Sequence, residues 1–263
     1  DRVAEGIDLA LAAGTLTCLI GPNAVGKTTL FRTLLGLIPP LAGAIAIGDD
    51  DLASLTRPAI AKHIAFVPQA YRGENAHTVL DLVMMGRTAH LGLFGTPSAK
   101  DRTLALDSLD RLGIAALADR ALFDISEGQR QLALIARALA QQSPIVFMDE
   151  PTSSLDLGNR MRVLDQIRAL AEAGLTALLS THDPEQALAL ADQVAMLGAD
   201  RSFTAGTPAA AMTEERLSRI YGVPLVIERT NSGRPVIGRP NAVGLRGDDF
   251  LRPPPFPGGV KPA

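Results

Sequence analysis

The chain has 263 residues, 47% hydrophobic and 20% charged, with a net charge of −3, values ordinary for one or two soluble globular domains. No Lys/Arg run marks a phosphate-tracking surface, and two Tyr with no Trp make a poor base-stacking platform, so nucleic acid is not expected as a partner. Apolar runs such as LTCLI and IVFM stop well short of the ~18 residues that a membrane span needs.

In chain order, the opening at Asp1 lacks a charged leader and apolar stretch, so a cytoplasmic location is expected. LTCLI reads as a buried strand, and its single Cys18 fits a small buried hydrophobe in a reducing compartment. GKTTLFRTLLGL then reads as a helix. Between them, residues 21–28 match G-x-x-x-x-G-K-T, the strand-to-helix context of a phosphate-binding loop. Backbone N–H groups from Asn23, Ala24, Val25, Gly26, Lys27, Thr28 and Thr29 are expected to cradle phosphates. Lys27 would neutralise the β and γ oxygens, and Thr28 would ligate Mg²⁺. A Gly-bounded turn explains the glycines, but it does not explain Lys27 in a chain whose only other lysines are at 62, 100 and 261.

FVPQ places Gln69 after a strand, where it can reach a metal or a water or simply be a polar loop residue. Helical patterns follow at 78–87, at 96–112 with Thr96 as cap, Pro97 first and Gly113 at the end, and at 126–141. The last opens on Ser126, Glu127, Gly128 and Gln129, which reads as a capping box, a dipole-complementing carboxylate, or an anion site at a helix N-terminus. PIVFMDEP is an apolar strand ending in Asp149 and Glu150, at the edge where α/β sheets bind ligands. Strand alternation is expected to divide their work: Asp149 in the metal shell, Glu150 polarising the attacking water. LGNRMRVLDQIRALAEAG, LTALLS, PEQALALA and QVAML continue the alternation of helix and strand. His182, at a strand end in STHD, can contact a γ-phosphate or be structural. The tail from 231, ending LRPPPFPGGVKPA, is too poor in apolar surface to order itself alone.

These patterns predict an α/β core with a mostly parallel sheet (1–70 and 142–230), a helical insert (71–141) and a Pro/Gly-rich tail (231–263). Together GPNAVGKTT, FVPQ, ISEGQ, IVFMDEP, SSLD and STHD resemble, in combination and order over 14–226, the nucleotide-binding subunit of ATP-binding cassette (ABC) transporters. The resemblance implies a P-loop NTPase core with an N-terminal antiparallel β region and a helical signature subdomain, pairing head to tail as a homodimer around ATP and Mg²⁺. It makes Gln69 the Q-loop residue, Ser126, Gly128 and Gln129 the signature, Glu150 the general base, 153–156 the D-loop and His182 the switch histidine. Ser126 Oγ and the Gly128 N–H would then meet the opposite subunit's γ-phosphate.

Two departures stand out. Glu127 replaces the first glycine of the usual Ser-Gly-Gly-Gln; a carboxylate aimed at a phosphate would cost ~4 kcal/mol per charge pair at ~4 Å. Glu127 is therefore expected to point away, toward an arginine or solvent. Ala24 and Val25 stand where the family often has Gly and Ala, a change that could stiffen the loop. The adenine-stacking aromatic of the family lies upstream of Asp1, and no Phe or Tyr precedes Phe31, so that platform is expected to be missing.

TVLDLVMMGRTAHLGLFG resembles the metal-chelate importer branch, whose members import iron-siderophores, haem, cobalamin or molybdate into bacteria. That implies a peripheral subunit on the cytoplasmic face of the inner membrane, docked on permease subunits, with a substrate-binding protein in the wider complex. Iron chelate is the first expectation. A soluble cassette ATPase of DNA repair or translation would carry long coiled-coil or basic insertions, absent from the compact span between Gln69 and Ser126. A small-molecule kinase would have no use for ISEGQ.

Overall fold

The computed structural model describes residues 3–69, 77–92 and 95–240. In chain order, β1 (Leu16–Ile20) runs into α1 (Lys27–Leu34). A short hairpin, β2 (Ala46–Ile47) with β3 (Asp50–Asp51), then leads to α2 (Arg57–His63) and β4 (Ile64–Val67). Three helices follow: α3 (Val79–Met84), continued by a tight 3-10 turn over Met85–His90, α4 (Ala99–Arg111) and α5 (Glu127–Ala140). They pack on one another as a helical layer. The chain then returns through β5 (Ile145–Asp149), α6 (Leu157–Glu172), β6 (Thr176–Thr181), α7 (Pro184–Leu190), β7 (Gln193–Leu197) and β8 (Phe203–Gly206). It closes with α8 (Pro208–Ala211), α9 (Glu214–Tyr221), β9 (Val226–Arg229) and β10 (Pro235–Gly238).

Six strands form one sheet in the order β4-β5-β6-β1-β7-β8. All pairs are parallel except the β7–β8 edge, as the buried apolar runs predict. Alternation along each strand sorts the core into two layers. Cys18, Ile20, Met148, Leu179 and Met196 face Leu134 of α5, Ile167 of α6 and Leu217 of α9. Leu19, Phe147, Leu178 and Leu197 face Leu30 and Phe31 of α1 and Ile60 of α2. The Phe31 and Phe147 rings stack with centroids 5.4 Å apart; each large side chain so buried stabilises the sandwich by about 1.5–3 kcal/mol. Cys18 is fully buried, and that burial, with Asp192 second, pushes its thiol up to about 12, the signature of an inert core residue.

Two expectations are corrected, and the expected N-terminal antiparallel β region is present as the β2–β3 hairpin. α4 is capped by Ser98, not Thr96: Ser98 Oγ accepts from Asp101 N at 3.3 Å while an Asp101 oxygen accepts from Ser98 N at 2.9 Å, a reciprocal box that Thr96 cannot make. The N-terminal antiparallel region is confined to β2 and β3, and no strand forms over 3–15. Part of the segment read as tail is structured, since β10 pairs with β9 and Ile237 N donates to Glu185 Oε1 of α7 at 2.9 Å. Docking on α7 supplies the order that composition alone denies. The rest of that tail (241–263), the loop after Gln69 (70–76) and positions 93–94 lie outside the described residues.

Candidate functional site

Strand register assembles the site. Ile20 pairs with Thr181, Asp149 with Ser180, and Val67 with Met148. Counting on from these pairs puts Gly21, Gln69, Glu150 and His182 along one open edge of the parallel sheet, the carboxyl edge. Four distant stretches of sequence thus meet because their strands end level.

The loop after β1 is shaped by glycines with separate reasons. Gly21 passes so close to the Leu197 carbonyl of β7 that a Cβ has no room. Gly26 has φ +113 and lies against the Val3 side chain. Ala24 also takes a left-handed conformation, φ +61, where its Cβ is a steric burden. Lys27 opens α1 almost fully buried, its Nζ donating to Gly21 O at 2.8 Å and Pro22 O at 3.1 Å and lying 3.3 Å from Glu150 Oε1.

Glu150 gathers the remaining groups. Its Oε2 accepts from Gln69 Nε2 at 3.3 Å and lies 3.3 Å from His182 Nδ1. Alternation of strand residues does not explain this. Glu150 sits one residue past β5 with φ +44, a left-handed turn to which the alternation of the strand no longer applies. Asp149 Oδ2 accepts from Thr28 Oγ1 at 2.9 Å. A hydroxyl and a carboxylate side by side, both hard oxygen donors, fit the one or two protein ligands that Mg²⁺ takes when phosphates and water supply the others. Among the described residues no cluster of three or more His, Cys, Asp or Glu forms an all-protein cage.

Ser180, which sequence reasoning passed over, serves both acids: its Oγ donates to Asp149 Oδ1 at 2.6 Å and accepts from Glu150 N at 2.9 Å. The available signal was its position two residues before His182, at the end of the apolar run LTALLS.

The other predicted anion site stands apart. Ser126 Oγ accepts from Gln129 N at 3.3 Å and Gln129 Oε1 accepts from Ser126 N at 2.9 Å, the capping box read from sequence. Glu127 pairs with Arg130 at 3.0 Å, so it does turn to an arginine. Gly128 is buried against α6, where an added Cβ would lie 2.6 Å from Asn159 Cγ. Asn159 is itself held by Asp156, which accepts from its N at 2.9 Å and Nδ2 at 2.7 Å. Among the described residues no hydrogen bond or ion pair joins residues 126–129 to 21–29.

Beside the phosphate-binding loop lies a cavity of about 360 Å³, bounded by Val3, Asn23, Val25, Thr29 and the turn carrying Arg201. Its lining among the described residues is backbone together with aliphatic and polar side chains.

The profile of the ABC transporter family matches residues 4–153. An uncharacterized ABC transporter ATP-binding protein of Haemophilus influenzae is 43% identical, covering 82% of each chain. A probable iron chelatin transport ATP-binding protein of Helicobacter pylori is 36% identical over 85% of this chain and 88% of that one. Among solved structures, a metal-chelate type ABC transporter in an inward-facing conformation superposes with a TM-score of 0.79 at 33% identity, covering 88% of this chain and 89% of the other.

Proposed function

The chain belongs to the ABC transporter family, whose ATP-binding subunits hydrolyse ATP to drive transport, and on that premise we propose that it powers bacterial import of a metal chelate, iron-siderophore before haem, cobalamin or molybdate. The observation that carries the hydrolytic half is the meeting of Lys27, Gln69 and His182 on the single carboxylate of Glu150. Backbone N–H groups of 23–29 and the Lys27 ammonium hold the phosphates of ATP. Thr28 and Asp149 would hold Mg²⁺, with Gln69 in reach; when bound, the ion supplies charge that offsets the phosphate oxygens. Glu150 takes the proton of the attacking water, and Gln69 and His182 orient it and contact the γ-phosphate.

The complementary half comes from a second copy, whose Ser126, Gly128 and Gln129 complete the pocket. Supporting this are the exposed Ser126 and the apolar Leu157 and Met161 that α6 leaves uncovered next to that helix start. A permease cytoplasmic helix would dock at the cleft of about 420 Å³ between α2 and the 3-10 turn, lined by Arg57, Gly86, Thr88 and Leu91. No helix among the described residues is long and apolar enough to cross a membrane, which suits a peripheral subunit at its inner face. The iron assignment leans on the relative named for iron chelatin.

Mixing a Lys27→Ala chain with a Ser126→Ala chain tests the pairing. Each alone is inactive, whereas the mixture regains one working pocket per mixed dimer. Full turnover by an isolated monomer, independent of concentration, would refute it. Cells carrying Lys27→Ala should lose uptake of radiolabelled ferric siderophore while keeping molybdate and cobalamin uptake; the reverse pattern reassigns the cargo.

A further inference from the structure

His182 Nδ1 reaches Glu150, but little of its own strand fixes where it stands, because β6 ends at Thr181 and α7 begins only at Pro184. The intervening segment is tied from three directions. Thr181 Oγ1 accepts from Asp183 N at 3.1 Å, and Arg160 of α6 lies 3.6 Å from Asp183 Oδ2. The third tie comes from the far end of the described chain: the Tyr221 hydroxyl, at the last residue of α9, donates to the His182 carbonyl at 3.1 Å. This tie acts on the histidine residue itself.

The Tyr221 ring packs on the main core, so the hydroxyl is held on a rigid stalk. Burial, with Asp183 second, pushes its pKa well above the ordinary tyrosine value, which keeps the group a proton donor throughout the neutral range. Downstream of it, β10 grips α7 through the bond from Ile237 N to Glu185 Oε1. The segment from α9 to β10 therefore braces both the residue and the helix that follows it. A carbonyl held from behind sets the direction in which the His182 side chain leaves the backbone.

We propose that Tyr221 is a positioning residue for ATP hydrolysis, acting through the His182 carbonyl to hold the imidazole against Glu150. The inference rests on the reading of His182 as part of the hydrolytic site. It makes the C-terminal segment a mechanical part of the switch.

The test is Tyr221→Phe, which keeps the packed ring and deletes the hydroxyl. Steady-state ATPase of the purified full chain should show kcat falling roughly fivefold with KM for ATP within about twofold and the melting temperature within about 2 °C, as expected for loss of one neutral hydrogen bond that orients rather than binds. With four histidines in the chain, the ring resonances are readable by NMR; the His182 signal, identified by its loss in His182→Ala, should shift in Tyr221→Phe. Parental kcat in Tyr221→Phe, or a His182 signal that stays in place, overturns the proposal while leaving the hydrolytic reading intact. Full activity of His182→Ala would instead remove the reading beneath it.

Discussion

The open sheet edge and the start of α5 both present polar groups suited to an anion, yet they are built by different means. At the edge, Lys27, Gln69 and His182 arrive on segments that follow β1, β4 and β6 and lean on one another through Glu150, so each depends on the register of the whole sheet. At α5, Ser126 and Gln129 satisfy each other within four residues and need nothing distant. A shared centre of this kind is sensitive to any one member, whereas a local cap keeps its shape and waits for a partner.

The comparison can be broken most forcefully at Glu150. Glu150→Gln should cut ATP turnover by about 10²–10⁴-fold, the usual reach of general-base catalysis, with equilibrium ATP binding retained; loss of binding instead would make the carboxylate a structural strut for Lys27. Next in size, Gly128→Ala pushes a methyl into Asn159 and should lower stability by about 1–3 kcal/mol in denaturant melts, part of it recovered in the Gly128→Ala/Asn159→Ala pair. No recovery would mean that α5 and α6 are not coupled at this contact.

The caps give a pH signature. Hydrogen bonds from Thr78 hold Asp81, and those from Asn159 hold Asp156, below the ordinary carboxylate range. Because the folded values are the lower ones, this stabilisation is complete above the unfolded value of about 4 and fades as pH falls through the folded values. Thermal melts should be flat from neutrality to about pH 5 and drop below it, with Asp81→Asn reducing the slope.

Smaller still, Ala24→Gly relieves a left-handed alanine and should stabilise the fold by about 0.5 kcal/mol, after the entropy of the freed chain is subtracted. Glu127→Gly removes a half-exposed pair with Arg130, worth less than about 1 kcal/mol, and should leave ATPase turnover within about threefold. A rise by orders of magnitude would show that the carboxylate impairs the signature.

The sequence made some of this legible and hid the rest for definite reasons. Patterns that act over a few residues were readable: the loop around Lys27, the Ser126 capping box, the doubly buried strands. Partners set by tertiary approach were not. Nothing local says that Asn159 closes over Gly128, that Ser180 serves both acids, or that Tyr221 reaches His182 across 39 positions. Strand alternation does not by itself fix where Glu150 points, since β5 ends at Asp149 and the next residue turns left-handed. β10 was missed because composition measures what a segment can do alone, whereas a hairpin borrows its burial from α7.

That turn at Glu150 sets backbone ease against charge pairing. A left-handed conformation burdens any residue with a Cβ by about 1–3 kcal/mol, and glycine would relax it. That relief is opposed by what the side chain supplies: deleting the carboxylate strands the buried Lys27 ammonium without its counter-charge, so Glu150→Gly is expected to be inert and no sturdier in thermal melts.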